Sequence, residues 1–513
     1  MKAAGKRILI DGERLTLDDV ALAATGRARL AVAPRAVGRI RKSRRFVEGA
    51  IRRGDTIYGI TTGFGKLSDV RVSPEQALQL QRNVLVSHAG GFGNPLPPEE
   101  VRLMLLLRIN SLAKGYSGVS IEMIDMLIRM FNADILPMIP EQSSVGASGD
   151  LTPLANIGFA MLGMGNVVFR GKKMKASAAL QKASLRPYTF QIKEGLSLIN
   201  GTQMMTALLG RVLVRLRDLL KLADVAAALS FEALQSSLTP FSPQIHRVRP
   251  HPGQAEVASN FRALMKESKI LASHAHCSKV QDAYSIRCIP QVHGAVRDMR
   301  DHALAVYRRE INSAVDNPLV FADDGLILSG GNFHGQPVAI VADALAAALT
   351  TLGNIIALRI DRLTTPEWSG LPAFLAKEGG VNSGLMSLEI SSAAIAAENR
   401  TLAYPASVTT IPTCANKEDH VSMGPMAVRK LRTIADNIES LIAVEMICGA
   451  QGLEFHKPLR PGKGVAAATR EVRRKVPPLA GDRYLKPDVD ALRRLLRDGS
   501  ILTAVERSVG KLC

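Results

Sequence analysis

The chain is expected to be mainly α: a large bundle of long antiparallel helices, with a small mixed N-terminal region that carries a candidate active-site loop. Composition is the first reason. Of 513 residues, 47% are hydrophobic but only 4% aromatic, with Ala and Leu abundant. That profile suits helices packed through small and γ-branched side chains better than sheets, which favour aromatic and β-branched residues. Periodicity is the second. Met204 to Leu234, Gln336 to Leu363 and Met426 to Leu453 keep apolar residues at three- and four-residue intervals and stay largely uncharged on their inner turns. Helices of that length, apolar on most sides, require burial among other helices.

The elements follow in chain order. "RILIDGERLTL", Arg7 to Leu17, alternates apolar and polar residues around Asp11-Gly12, which predicts a hairpin. Pro74 and Glu75 open a helix through "QALQLQRNVLVSHA"; "EEVRLMLLLRINSLAKG" gives another, ended by Gly115. "SIEMIDMLIRMFNADILP" supplies a third, stopped near Pro137, and "GMGNVVFRGKK" suggests a second small hairpin. The long-helix segments come after, so the chain reads as an N-terminal domain over 1–200 and a helical bundle with a C-terminal helical region over 201–513.

Composition also bounds the setting. Cys277, Cys288, Cys414, Cys448 and Cys513 form no CxxC pair, which indicates a reducing compartment without disulfides or a zinc knuckle, and no metal site is expected. The N-terminus starts basic but meets Asp11 too soon for a signal-peptide core. Ala344 to Leu358, the longest uncharged stretch of the helical half, is about fifteen residues, short of the roughly twenty a membrane span needs. A soluble, cytoplasmic protein is expected. The net charge is +19, with clusters at Arg39, Arg41, Lys42, Arg44, Arg45 and at Arg470, Arg473, Arg474, Lys475. Neither is interleaved with aromatics that stack on bases, so they read as solvated helix faces rather than a nucleic-acid surface.

Chemistry concentrates in polar islands between the apolar helices. "YGITTGFG" sets Tyr58 among Gly59, Gly63 and Gly65; "SHAGGFG" carries His88; "LINGTQ" offers Asn200 and Gln203. "QDAYSIRCIPQ" holds Gln281, Tyr284 and Arg287, "GGNFHGQP" holds Asn332, Phe333 and His334, and "ANKEDHVSMG" holds Lys417, Glu418 and His420. Each alone has a structural explanation. Together they demand another, because buried polar groups are costly unless they pair or work.

The island "SSVGASGDLTPLA" is the most informative. Thr152 and Pro153 read as N-cap and first turn of a helix, which places Ala147-Ser148-Gly149 just upstream of a positive helix end. A glycine amide is the least hindered backbone nucleophile, an alanine carbonyl is an open target, and a serine between them can lose its hydroxyl as water.

This stretch resembles the signature of the histidine and phenylalanine ammonia-lyase family. "YGITTGFG", "INGTQ", "KVQDAYSIRCIPQ", "DNPLVF", "SGGNFHGQP", "GGVNSGLM" and "EDHVSMG" are similar to family segments and occur in family order. The resemblance implies that Ala147, Ser148 and Gly149 cyclise and dehydrate without help into 4-methylidene-imidazol-5-one, an electrophile that assists removal of ammonia from an aromatic-type amino acid. It also implies roles for single residues. Tyr58 is the base for the β-proton, in a site expected to favour its phenolate. Asn200 and Tyr284 hold the electrophile and the amine. Arg287 clamps the substrate carboxylate, Gln281 supports that end, and Phe333 packs near the prosthetic ring.

Two positions bear on the substrate. In the histidine-specific branch, a His in the "SHA" segment and a Glu in "EDHVSMG" contact the imidazole; here they are His88 and Glu418. Phenylalanine- and tyrosine-specific members carry Gln where Glu418 stands. The implied activity is therefore histidine to urocanate and ammonia. The alternative is a related lyase or aminomutase acting on tyrosine, on another aromatic amino acid, or on a histidine derivative such as thiol-histidine betaine. Lys417, Thr61, Asn156 and Gln336 depart from the histidine-specific pattern, which has Gln, Asn, His and Glu there. A cation beside Glu418 would neutralise it or recognise a different acidic or sulfur-bearing substituent. Family members are homotetramers with shared sites, so self-association is implied as well.

Overall fold

The computed structural model describes residues 6–277 and 279–513. The basic start read at Lys2 lies outside the described residues. The chain divides into two compact units. One runs to Val214 and takes in Leu304–Asp343 and Pro405–Arg429; the other comprises Arg215–Ala303, Ala344–Tyr404 and Lys430–Cys513. The boundaries fall inside four long helices, Gln203–Ala233, Ile289–Glu310, Gln336–Thr364 and Gly424–Glu454, so these contribute residues to both units.

The first unit opens differently from the expected hairpin. Strand Lys6–Ile10 pairs in parallel with Ala28–Val32, and helix Leu17–Ala24 crosses between them. The Asp-Gly signal has another use. The Asp11 carboxylate accepts the amides of Glu13 and Arg14 at 2.8 and 3.1 Å, an Asx turn that ends the strand. Thr16 and Asp19 then form a capping box, so the second half of the supposed hairpin becomes a helix entry. The hairpin around Gly171 does form, from Asn166–Phe169 and Lys172–Lys175. Helices Pro74–His88, Pro98–Ala113 and Ile121–Ala133 stand where periodicity places them. The last stops at Asp134, φ +63°, before Pro137.

In the second unit, long helices share a buried polar seam. Ser230 donates to Glu445 at 2.8 Å, and Arg359 holds both Glu445 oxygens at 2.5 and 3.1 Å. His293 bridges Arg359 at 3.4 Å and Asp224 at 2.8 Å, while Arg297 and Asn260 complete the Asp224 carboxylate at 2.6 and 2.9 Å. Burial lowers the His293 pKa, which suits a neutral ring donating to Asp224 and accepting from Arg359. Burial opposes the Asp224 charge, but Arg297 and His293 hold its carboxyl below the usual range. Glycine lets the helices close up. A Cβ on Gly449 would lie 2.7 Å from the Leu229 Cβ, and one on Gly452 would lie 2.8 Å from that of Ala233. Met386–Leu402 runs antiparallel to Gln336–Thr364: Thr350 bonds the Asn399 carbonyl near the end of one helix, while Glu389 near its start lies in the field of Asp361.

Among the described residues, Gln336–Thr364 is the one helix long and apolar enough to cross a membrane, and 67% of its apolar window is buried within the fold. The basic clusters lie on helices Pro34–Arg53 and Lys463–Arg473, where several members are paired: Arg44 with Glu48, and Arg473 with Glu454. All five cysteines are free thiols.

Candidate active site

The Ala147-Ser148-Gly149 segment occupies a turn held from both sides. The Ser144 hydroxyl accepts the Gly146 amide at 3.0 Å and donates to the Gly149 carbonyl at 3.2 Å, which bends the backbone over the triplet. Gly149 pairs in parallel with Gly201, and the Asp150 amide donates to the Gly201 carbonyl at 2.7 Å. At Gly149 φ is +76°, and a Cβ there would lie 2.3 Å from the Gly201 oxygen. Glycine is therefore required on two counts, and its amide stays unhindered. Gly149→Ala is expected to lower stability by about 2–5 kcal/mol, from left-handed strain plus overpacking. A thermal unfolding midpoint equal to that of the wild type would contradict this.

The helix that follows starts at Leu151 with Asp150 as N-cap, not at Thr152. Asp150 makes no side-chain cap to its own helix. Its carboxylate instead accepts the Met205 amide at 2.9 Å, at the start of Gln203–Ala233. Burial raises Asp150 to about 7, against the pull of the Met205 amide. Two helix N-termini thus flank the triplet, where one was expected.

Asn200 ends the short helix Glu194–Ile199, one residue before the Gly149 partner. Its side-chain amide donates to the Asn317 carbonyl at 3.0 Å, and its Oδ1 is buried without a partner. Arg108, fully buried, fixes this corner by donating to the Asn200 carbonyl at 3.1 Å, to Gln203 at 2.9 Å and to the Ser197 carbonyl. Burial pulls Arg108 down to about 10, and nearby Asp316 opposes the shift. An open-edged glycine amide, a bent triplet and an orphaned polar atom one residue from the pairing together fit the prosthetic group that the resemblance implies.

Glu418 faces the same turn. Ser148 donates to its Oε1 at 2.8 Å and Thr413 to its Oε2 at 2.7 Å. Thr413 and Glu418 pair across a tight reversal in which Cys414, Ala415 and Asn416 all have positive φ. Lys417 is exposed and makes no ion pair with Glu418 among the described residues. Its amide closes the reversal on the Cys414 carbonyl at 3.1 Å.

Tyr58 reaches this reversal from the glycine-rich loop. Its hydroxyl accepts the Gly65 amide at 3.2 Å, and a Cβ on Gly65 would lie 2.5 Å from the Cys414 sulfur. The expected phenolate bias is not present. Burial first, then the negative potential of Glu418 and Cys414, raises the phenol above 10.0, and the Gly65 amide offsets only part. His88 ends its helix bonded to the Val84 carbonyl at 2.9 Å, and Asn156 pins the following loop through the Gly90 carbonyl at 3.2 Å. His334 stacks on His420 with ring centroids 5.6 Å apart, and Phe333 is half-buried beside it in sequence.

Six islands therefore belong to the first unit. Gln281, Tyr284 and Arg287 belong to the second, where Tyr284 is 70% exposed and Arg287 lies 4.6 Å over its ring. Arg108 and Thr413 were not anticipated. A lone arginine inside "LMLLLRINSL" was the signal for the first; nothing local marked the second.

Comparison with known proteins identifies the family. The aromatic amino acid lyase family model matches residues 15–474. Histidine ammonia-lyase of Myxococcus xanthus (strain DK1622) is 48% identical over 500 residues, 97% of this chain and 98% of that protein. The crystal structure of histidine ammonia-lyase from Trypanosoma cruzi superimposes with a TM-score of 0.90 at 41% identity, covering 98% of this chain and 96% of that one. Tyrosine aminomutase from Streptomyces globisporus gives 0.93 at 36% identity, over 99% and 100%. With the family match running from residue 15 to residue 474, the chain belongs to the aromatic amino acid lyase family.

Proposed function

We propose that this enzyme is an ammonia-lyase that converts L-histidine to urocanate and ammonia by α,β-elimination. The observation that carries the reading is the Glu418 carboxylate, fixed by Thr413 against the Ser148 turn and free of Lys417. A carboxylate there suits an imidazole N–H or an imidazolium. Beside a phenyl ring it would be buried and unpaired, at a cost of about 1–3 kcal/mol or more. Similarity to histidine ammonia-lyases over the whole chain supports the same substrate.

Formed from Ala147, Ser148 and Gly149, 4-methylidene-imidazol-5-one supplies an electrophile that makes the amine a better leaving group. The other residues bind and move protons. Arg287 grips the substrate carboxylate through its planar fork, with Gln281 behind it. Tyr58 takes the β-proton at its hydroxyl oxygen. The free Oδ1 of Asn200 and the Tyr284 hydroxyl orient the amine end, His88 and Glu418 hold the imidazole, and Phe333 closes the ring side. Exposed Tyr284 suits a site completed by another copy of the chain, in a homotetramer. Free thiols and the absence of a disulfide framework favour a cytoplasmic setting for histidine catabolism.

Urocanate formation, followed by its absorbance, tests the substrate. Glu418→Gln is expected to lower kcat/KM for histidine by on the order of 10²-fold while sparing tyrosine, since an ionic bond becomes a neutral one. Unchanged preference would refute the role of Glu418, and no urocanate from wild-type protein would refute the reaction.

A further inference from the structure

The bond between Ser148 and Glu418 exists only in the unmatured chain, because maturation expels the very oxygen that makes it. We propose that Glu418 is a positioning residue for maturation: it holds the Ser148 hydroxyl in the geometry for its departure, and is released to the substrate when that hydroxyl leaves. This deepens the proposed function and rests on it.

The geometry supports a hand-off. Ser148 donates to Oε1 at 2.8 Å, and Thr413 donates to Oε2 at 2.7 Å. The backbone pairing of Thr413 with Glu418, at 2.9 and 3.3 Å, fixes where the Glu418 side chain starts, and the Thr413 hydroxyl bond holds its carboxylate in place. Loss of water from Ser148 needs its Cβ–Oγ bond to stand across the plane of the forming double bond. The Cα–H electron pair becomes the second bond of Cα=Cβ, and the Cβ–Oγ pair leaves with oxygen. The proton released from Cα returns through solvent to that oxygen, so one water departs. The tether to Glu418 confines the Ser148 side chain to fewer rotamers than a free hydroxyl samples, and under this proposal the one retained carries Cβ–Oγ across that plane. Once the oxygen has gone, Oε1 has lost its donor while Oε2 keeps Thr413. The vacated acceptor is what an imidazole N–H requires, so the same carboxylate serves first the chain and then the substrate.

Intact mass of the full chain, followed with time after synthesis, tests this without reading activity. Wild-type protein should reach a deficit of two water molecules. Glu418→Ala should reach it on the order of tenfold more slowly, accumulating chains short by one water or none. Glu418→Gln, which still offers an acceptor, should mature at the wild-type rate although its substrate preference shifts. Should Glu418→Ala not fold, Thr413→Val decides: it leaves Glu418 in place but untethered, and maturation should slow about threefold. Glu418→Ala or a folded Thr413→Val maturing as fast as wild type would overturn the inference, and so would Glu418→Gln stalling. A wild-type chain with no deficit would instead overturn the proposed function itself.

Discussion

Ser148→Ala is expected to abolish turnover of histidine, with kcat falling by roughly 10³-fold or more, while the fold and the affinity for substrate stay near normal. The reasoning is local. Alanine keeps the Cβ that the turn already accommodates, and Ser148 gives the backbone no structural bond; its hydroxyl is committed to Glu418 alone. What disappears is the group whose loss would create the exocyclic double bond. Ring closure between the Gly149 amide and the Ala147 carbonyl needs no hydroxyl and expels one water. The variant should therefore show a deficit of one water at most, where wild type shows two. Glu418 should then be left with one oxygen bonded to Thr413, and the unfolding midpoint should move little. Retention of wild-type activity by a Ser148→Ala chain would remove the electrophile from the mechanism, and with it the basis for every assigned role.

How much of this was readable beforehand depends on the range of the interaction. The long helices were legible because three- and four-residue apolar spacing over some thirty residues is a local signal that burial cannot reverse, and Gln203–Ala233, Gln336–Thr364 and Gly424–Glu454 lie within a few residues of their expected limits. The polar islands were legible as chemistry in an apolar context. The failures share a cause. Asp11-Gly12 satisfies a hairpin rule, yet Asn110 takes the Gly12 amide at 2.9 Å and commits it to a helix far along the chain. Thr152-Pro153 satisfies a capping rule, yet Asp150 precedes it and is recruited by the Met205 amide. The buried seam of Arg359, Glu445, His293 and Asp224 links residues far apart in sequence that carry no common motif. Cys414, Ala415 and Asn416 adopt positive φ without a glycine to announce it. Local rules report what a segment can do, and long-range partners choose among the options.

Tyr58→Phe is the second large effect expected: a fall in kcat of about 10²–10⁴-fold with KM for histidine changed only a few-fold, since a general base acts in the transition state and contributes little to ground-state binding. Its pH dependence has a definite sign. Burial, Glu418 and Cys414 raise the phenol above its ordinary value of 10.0, so at neutral pH the proton-accepting phenolate is a small minority of molecules. Raising the pH increases that fraction about tenfold per unit, and kcat should climb with it through the neutral and mildly alkaline range. The Phe variant has no phenol to ionise, and its residual rate should lose that climb. A pH–rate profile of Tyr58→Phe that keeps the wild-type slope would assign the titration to another group. The Gly65 amide, at 3.2 Å, would then be bonded to a tyrosine that shapes the loop and moves no proton.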